Sequence, residues 1–352
     1  MNQRRKTKVV QVGNVTIGNN SPITIQSMTK TDTRDIIGTV EQIKQLEDVG
    51  CDIIRIAVIN MEAARAIKDI KKKISIPLVA DIHFDYRLAL EALHNGIDKL
   101  RINPGNIGDE SRIKEVVLKA KERNVPIRIG VNGGSLEKDL LAQYGHITAE
   151  ALVRSAERHI ALLEDLNFTE IVVSIKSSDV SLSIEAYRLF SQQYDYPTHI
   201  GITESGTYHS GTIKSSVGLG ILLYDGIGDT LRVSLTSDPI NEIKVAQEIL
   251  NALGLLRKKK IHFISCPTCG RCQINLIKIA EEVEHACSHI QKDIKIAIMG
   301  CAVNGPGEAK DADLGIAGGK NKAILFKKGE VIRTVDEKDI IHEVLNEINK
   351  IR

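Results

Sequence analysis

The feature that most limits how this chain can fold is a repeat of eight short runs rich in Ile and Val, separated by longer amphipathic stretches. The runs are ITIQSM from Ile23, DIIRIAV from Asp52, IPLVADI from Ile76, KLRINP from Lys99, PIRIGVN from Pro126, EIVVSIK from Glu170, HIGITE from His199 and TLRVSLT from Thr230. They recur about every 25–30 residues, the spacing of a strand followed by a crossover helix. Eight such units in succession predict a parallel (β/α)8 TIM barrel over residues 1–257. The stretches between them carry helix punctuation, as in TVEQIKQLEDVG, where Gly50 suits a C-cap. Ahead of the first run, KVVQVGNVTIG alternates apolar and polar residues and reads as a hairpin closing the bottom of the barrel.

Polar residues in these runs follow strand parity. Side chains two apart on a strand share a face, so Arg101 goes with Asn103, Arg128 with Asn132, Ser174 with Lys176, and Arg232 with Ser234. Between them, Ile102, Ile129, Val131, Ile175 and Val233 would face the helices. With Arg55, five cations converge on the C-terminal mouth, where barrel enzymes build their active sites, and Glu204 at the end of the seventh strand is the lone carboxylate among them. One such arginine reads equally well as a satisfied polar group in a barrel layer. Five at matching strand ends would repel one another unless an anion sat between them, and guanidinium forks and a lysine suit phosphate or diphosphate. The glycines of GLGILL and DGIGDT do not complete G-x-G-x-x-G, so no dinucleotide fold is expected.

After RKKK at Arg257 the pattern changes to a compact α/β module over residues 258–352, holding five of the six cysteines. Cys266, Cys269 and Cys272 form C-x2-C-x2-C, and Cys301 follows in a Gly- and Pro-rich loop that ends at Glu308. This spacing is closer to an iron–sulfur run than to a zinc pattern, and it selects Cys272 as the third thiolate. Cys266, Cys269, His285 and His289 also fall at C2H2 zinc-finger spacing, but the two histidines share a helix stripe with Lys278, Glu281 and Glu282 that reads as a solvated face. That reading leaves Cys301 unexplained. Disulfides persist mainly in oxidising compartments, so a cytoplasmic metal site explains the cysteines better. A net charge of +2, 3% aromatic residues and no Trp argue against a nucleic-acid partner. No apolar run approaches the roughly 18 residues of a membrane helix, and the basic MNQRRKTK leads into none, so neither anchor nor signal peptide is expected.

The segments CPTCGR, MGCAVNGPGEA, QSMTKTDTRD, LRINPGNIG, RIGVN and DGIGDTLRVSLT together resemble the bacterial 4-hydroxy-3-methylbut-2-enyl diphosphate synthase family, of the methylerythritol phosphate route to isoprenoids. They span nearly the whole chain in the expected order. The resemblance implies a TIM barrel followed by a [4Fe-4S] domain. It also implies reductive ring opening of 2-C-methyl-D-erythritol 2,4-cyclodiphosphate, with one hydroxyl lost as water. It places the cluster ligands on Cys266, Cys269, Cys301 and Glu308, in conflict with the spacing argument for Cys272, where the family usually has a non-ligating residue such as Thr. A carboxylate is a more displaceable iron ligand than a thiolate and would free one iron for the departing oxygen. Diphosphate contacts are implied at Arg55, Arg101, Arg128, Lys176 and Arg232, with Asn103, Asn132 and Ser234 adding hydrogen bonds. Glu204 becomes the proton donor, against a blander role as counter-charge; His199, expected off its face, and Lys214 are weaker candidates. The family pairs as a homodimer in which one subunit's cluster domain covers the other's barrel. Electrons would arrive singly from reduced flavodoxin or ferredoxin, since the chain shows no nicotinamide or flavin site of its own. Two other classes fit the residues less fully: a barrel lyase or synthase on a phosphorylated substrate with an appended structural metal domain, and a non-enzymatic iron-sensing or scaffold protein.

Overall fold

The computed structural model describes residues 2–103, 107, 109–257, 259–287, 290–301 and 309–351, in two compact units, Met1–Leu256 and Arg257–Arg352. The first opens with an antiparallel hairpin, β1 (Val10–Val12) and β2 (Val15–Ile17). All eight Ile/Val-rich runs then form strands: β3 (Thr24–Met28), β4 (Ile53–Ala57), β5 (Leu78–Asp81), β6 (Lys99–Ile102), β7 (Ile127–Asn132), β8 (Ile171–Lys176), β9 (His199–Ile200) and β10 (Thr230–Leu231). They pair in parallel in the order β8-β7-β6-β5-β4-β3-β10-β9, and a bridge between Val173 and Thr198 joins the two ends of the row. That is the expected TIM barrel.

Around it, among the described residues, lie α1 (Ile36–Asp48), α2 (Met61–Lys71), α3 (Tyr86–His94), α4 (Glu110–Glu122), α5 (Lys138–Tyr144), α6 (Ala149–Glu164), α7 (Val180–Gln193), α8 (Tyr208–Tyr224) and α9 (Pro239–Ala252). Asp35, Asn60, Asp85, Asp109, Thr148, Asp179 and Asp238 each accept a first-turn backbone N–H of the helix they precede. Each cap satisfies a donor that the helix itself leaves open. Gly50, just past α1, adopts φ +96°, as the expected C-terminal stop requires.

Strand parity holds in three dimensions. Ile102, Ile129, Val131, Ile175 and Val233 are buried in the large core shared with the helices. On the opposite face, Ile53, Val79 and Val172 pack against Val10, Val12 and Ile17 of the hairpin. These three lie two or four residues before Arg55, Asp81 and Lys176, so the interior is apolar at its base and polar towards the mouth, and the hairpin stoppers the base. The last two barrel strands are shorter than the sequence runs: only two residues of each stay in the ladder. A side chain at Gly201 would lie 2.7 Å from the Arg232 carbonyl and 2.8 Å from Lys176 Nζ. Past it the chain turns away, with Glu204 at φ +51° and Gly206 at φ +112°.

The second unit is a five-stranded sheet, β11 (His262–Ser265), β12 (Lys295–Met299), β13 (Leu314–Gly319), β14 (Lys322–Lys327) and β15 (Glu330–Asp336), paired in sequence order. The first three run parallel and the last three antiparallel. Lys328 and Gly329, both with positive φ, make the two-residue turn between β14 and β15. Helices α10 (Leu276–Cys287) and α11 (Ile340–Lys350) cover one face, where Ile279, Val283, Ile340, Val344 and Ile348 meet Ile296, Ile298, Leu314 and Ile316. No helix among the described residues is long and apolar enough to cross a membrane.

Candidate active site

The mouth of the barrel is built by register. Across adjacent parallel strands, Asp81 is the Cα partner of Arg101 and Arg101 of Arg128, while Asn132 partners Lys176. Arg101 Nη1 donates to Asp81 Oδ1 at 3.0 Å, and Arg55 Nε lies 3.8 Å from Asp81 Oδ2. His83 stands on the same carboxylate at 3.4 Å. Burial alone would raise the Asp81 pKa; Arg55, His83, Arg101 and Arg128 outweigh it and hold the carboxyl well below the usual range. Arg55 also directs Nε and Nη2 at Met28 Sδ, 3.2 and 3.0 Å away, and burial, with Arg232 and Arg101 nearby, lowers its pKa to about 10 despite Asp81.

Arg232 is held differently. Its Nε and Nη2 donate to the two oxygens of Glu242 on α9, each at 3.2 Å, and Glu242 also accepts from Ser27 Oγ and the Leu235 N–H. Arg128 is almost wholly buried and donates from Nη1 to Gln26 Oε1 at 3.2 Å. Lys176 is buried and makes no hydrogen bond or ion pair among the described residues; burial and four neighbouring arginines push its pKa well down. Gly130 and Gly201 let these cations lie flat on the strands, since a Cβ would fall 2.7 Å from Arg101 Nε or 2.8 Å from Lys176 Nζ. Asn103 is buried, Asn132 and Ser234 are half-buried, and both asparagines have partners.

The structure thus brings together Arg55, Arg101, Arg128, Lys176 and Arg232, but Glu204 is not the carboxylate among them. It is exposed on the turn after β9, and Asp81 and Glu242 occupy the place expected for it. His199, expected off the face, is fully buried on the interior: it is the register partner of Thr230, which precedes Arg232 by two residues. Lys214 is exposed on α8. Sequence parity missed Asp81, Glu242, Gln26 and His83. Asp81 was within its reach, as it stands next to last in the run IPLVADI, two residues after Val79 on the same face.

In the second unit, Cys266 and Cys301 follow the ends of the neighbouring parallel strands β11 and β12. The Gly300 N–H donates to Cys266 Sγ at 3.2 Å, and the Gln273 N–H reaches back to the Gly300 carbonyl at 3.3 Å, drawing the two cysteine loops together. Cys269 is exposed, and the Arg271 backbone N–H, helped by its side chain, holds its thiol below the ordinary value. Burial pushes Cys51 up to about 12 and Cys287 up to about 11. Thiolate is the metal-binding form, so Cys269 differs in kind from those two. Cys272 donates to the Ile274 carbonyl at 3.3 Å and packs where a side chain on Gly300 would be, 2.7 Å from its sulfur. Glu308 and His289 lie outside the described residues, and His285 is exposed. Among the described residues no three His, Cys, Asp or Glu side chains stand close enough to hold a metal ion. The donor set nevertheless fits a thiolate-bound centre: neighbouring strand ends, a backbone hydrogen bond between the segments that follow them and a backbone N–H on sulfur.

Residues 7–247 match the GcpE TIM-barrel domain, and residues 262–350 the GcpE protein C-terminal domain. The chain is 60% identical over 347 residues to 4-hydroxy-3-methylbut-2-en-1-yl diphosphate synthase (flavodoxin) of Caldanaerobacter subterraneus subsp. tengcongensis, covering 99% of this chain and 98% of that one. It is 57% identical over 348 residues to the protein of the same name from Geobacter sulfurreducens, with the same coverage of both. Among solved structures, dihydropteroate synthase from Stenotrophomonas maltophilia matches with a TM-score of 0.52 at 11% identity, over 70% of this chain and 98% of that one. The Yersinia pestis dihydropteroate synthase matches with a TM-score of 0.50 at 12% identity, over the same shares. At such identities the likeness is one of fold alone. Matched in both units and almost from end to end by its relatives, the chain belongs to the GcpE family.

Proposed function

We propose that this chain carries out the reaction for which its relatives are named, as an oxidoreductase of isoprenoid synthesis. It would convert 2-C-methyl-D-erythritol 2,4-cyclodiphosphate to 4-hydroxy-3-methylbut-2-enyl diphosphate by reductive ring opening and dehydroxylation. The observation that carries this reading is the charge imbalance at the mouth, where Arg55, Arg101, Arg128, Lys176 and Arg232 face, among the described residues, only Asp81 and Glu242. A diphosphate supplies the missing negative charge in the geometry that guanidinium groups recognise best. Asp81 and Glu242 hold three of the arginines before substrate arrives, so less ordering remains to be done on binding. Asn103, Asn132 and Ser234 would add neutral hydrogen bonds to the phosphoryl oxygens.

The barrel, residues 1–257, is then the substrate domain, and residues 258–352 the cluster domain. Cys266, Cys269, Cys301 and Glu308 would hold a [4Fe-4S] cluster, with Cys272 bonded to backbone and left out. Such a cluster, when bound, supplies one-electron transfer and Lewis acidity toward an oxygen. Glu204, on a left-handed turn beyond β9, would deliver a proton to the departing hydroxyl. We assign a homodimer in the cytoplasm, with reduced flavodoxin or ferredoxin as electron donor; the relatives' name supports flavodoxin and six free thiols support a reducing compartment.

The test is an anaerobic preparation assayed with the cyclodiphosphate and a low-potential reductant. A brown protein with about four irons per chain that forms the linear diphosphate is expected. A colourless zinc protein, or an iron-loaded one that binds the cyclodiphosphate without turning it over, would remove the assignment.

A further inference from the structure

Beneath the mouth lies a second tier of polar groups, of which the proposed substrate contacts use only Arg128. Lys99 precedes Arg101 by two residues on β6 and shares its interior face; it is 0% exposed, and its Nζ has no hydrogen-bond partner among the described residues. His199 is also 0% exposed. Its Nδ1 meets Thr230 Oγ1 at 3.3 Å, and its Nε2 is unpartnered. Gln26 spends its Oε1 on Arg128, leaving Gln26 Nε2 and Arg128 Nε without partners. Strands β3, β6, β7 and β9 contribute these four residues, so the atoms come from around the ring. Beside Lys99, its register partner Val79 belongs to the apolar layer that the hairpin seals.

Two arguments say what belongs there. The first is charge. Arg55, Lys99, Arg101, Arg128, Lys176 and Arg232 share the interior with only Asp81 and Glu242 among the described residues. A cyclic diphosphate, carrying one ionised oxygen per phosphorus, leaves a positive surplus. Burial, with Arg128 and Arg55 nearby, pushes the Lys99 pKa well down and no carboxylate opposes them, so an ammonium at Lys99 would need a counter-charge from outside the protein. The second is hydrogen-bond polarity. The unpartnered groups are donors: an ammonium, an amide NH2, a guanidinium N–H and, with Nδ1 accepting from Thr230, an imidazole N–H. A water molecule has two lone pairs to offer and must place its own protons as well. A spherical anion accepts from all four.

We propose that this lower tier is a resident site for a small inorganic anion of halide size, bound by Lys99, Gln26, Arg128 and His199 beneath the substrate. The anion would keep Lys99 charged and fix Arg128 from below.

Crystals of the full-length protein soaked in sodium bromide and measured at the bromine edge should show an anomalous peak in contact with Lys99 Nζ and Gln26 Nε2. In solution, the melting temperature should be several degrees higher in chloride or bromide than in gluconate of equal ionic strength. Lys99→Met, close in volume but uncharged, should lose most of that difference. The idea fails if ordered water alone fills the tier, or if bromide appears only at the mouth beside Arg55 and Arg232. It fails equally if Lys99→Met keeps the full halide effect, or if a peak at Lys99 accompanies melting that ignores halide, which marks binding at crystal concentration only. Should Lys99→Met not fold, the wild-type bromide peak decides the matter. None of these readouts uses turnover, so they stand or fall apart from the proposed reaction.

Discussion

Asp81 holds Arg55 and Arg101 together, and losing it would leave two buried guanidinium groups facing each other. Removing one partner of a buried ion pair costs about 3–5 kcal/mol, so Asp81→Asn should lower the unfolding free energy of the barrel by that amount and raise KM for the cyclodiphosphate. Inorganic diphosphate should recover part of the lost stability by replacing the missing charge. Arg128→Ala should weaken substrate binding by about 1.5–3 kcal/mol, the worth of a hydrogen bond to a charged group, and an unchanged KM would count against the anion site. Glu204→Gln should leave binding and iron content intact and slow turnover by about 10²–10⁴-fold, the usual contribution of a positioned proton donor; normal turnover would reduce Glu204 to a bystander. The sequence made Arg101, Arg128, Lys176 and Arg232 visible because alternation along a strand is strictly periodic. Glu242 stayed hidden because it reaches Arg232 from a helix, and no period links the two elements. Glu204 and His199 were misplaced for one cause: the ladder ends at Ile200, and counting parity through Gly201 carries the alternation into a turn.

Elements are held by devices that differ in how plainly they are written. Helix starts are explicit, because Asp, Asn or Thr must precede the first turn to satisfy its N–H groups. Asp179→Ala, which removes the bond to the Leu182 N–H, should cost about 1 kcal/mol in unfolding free energy. The clamp on α11 is less plain. Glu347, at the end of that helix, accepts from Lys327 on β14 at 2.7 Å, Lys350 at 2.9 Å and Arg333 on β15 at 3.1 Å. The bond from Lys327, then those from Lys350 and Arg333, hold its pKa down at about 2. A carboxyl so depressed stabilises the folded state fully above the ordinary Glu value of about 4.3, and the contribution fades as pH falls towards its folded value. Glu347→Gln should therefore flatten the acid limb of the second unit's stability below about pH 4.3 while lowering its plateau at neutral pH. An unchanged acid limb would show that the clamp is decorative. Sequence spacing could not reveal it, since its four residues come from three elements brought together only by sheet order.

At the scale of the whole molecule, the two units have separate cores, one built on the barrel and one on the five-stranded sheet. Scanning calorimetry should resolve two transitions, and removing the proposed metal centre should lower the one belonging to residues 257–352 while leaving the barrel's in place. A single transition that moves as one would show coupling that the two cores do not require. The barrel was legible from the sequence because its repeat is long and regular, and the second unit because cysteine spacing and sheet alternation replace that repeat after Arg257. The hairpin of Val10, Val12 and Ile17 over Ile53, Val79 and Val172 makes the barrel a cul-de-sac. Traffic in a cul-de-sac shares one lane: with the base sealed, the linear diphosphate formed at the mouth must leave by the opening the next cyclodiphosphate enters. Product inhibition should therefore be competitive with substrate, and the enzyme's pace in a crowded metabolite pool will depend on how quickly its own product is cleared downstream.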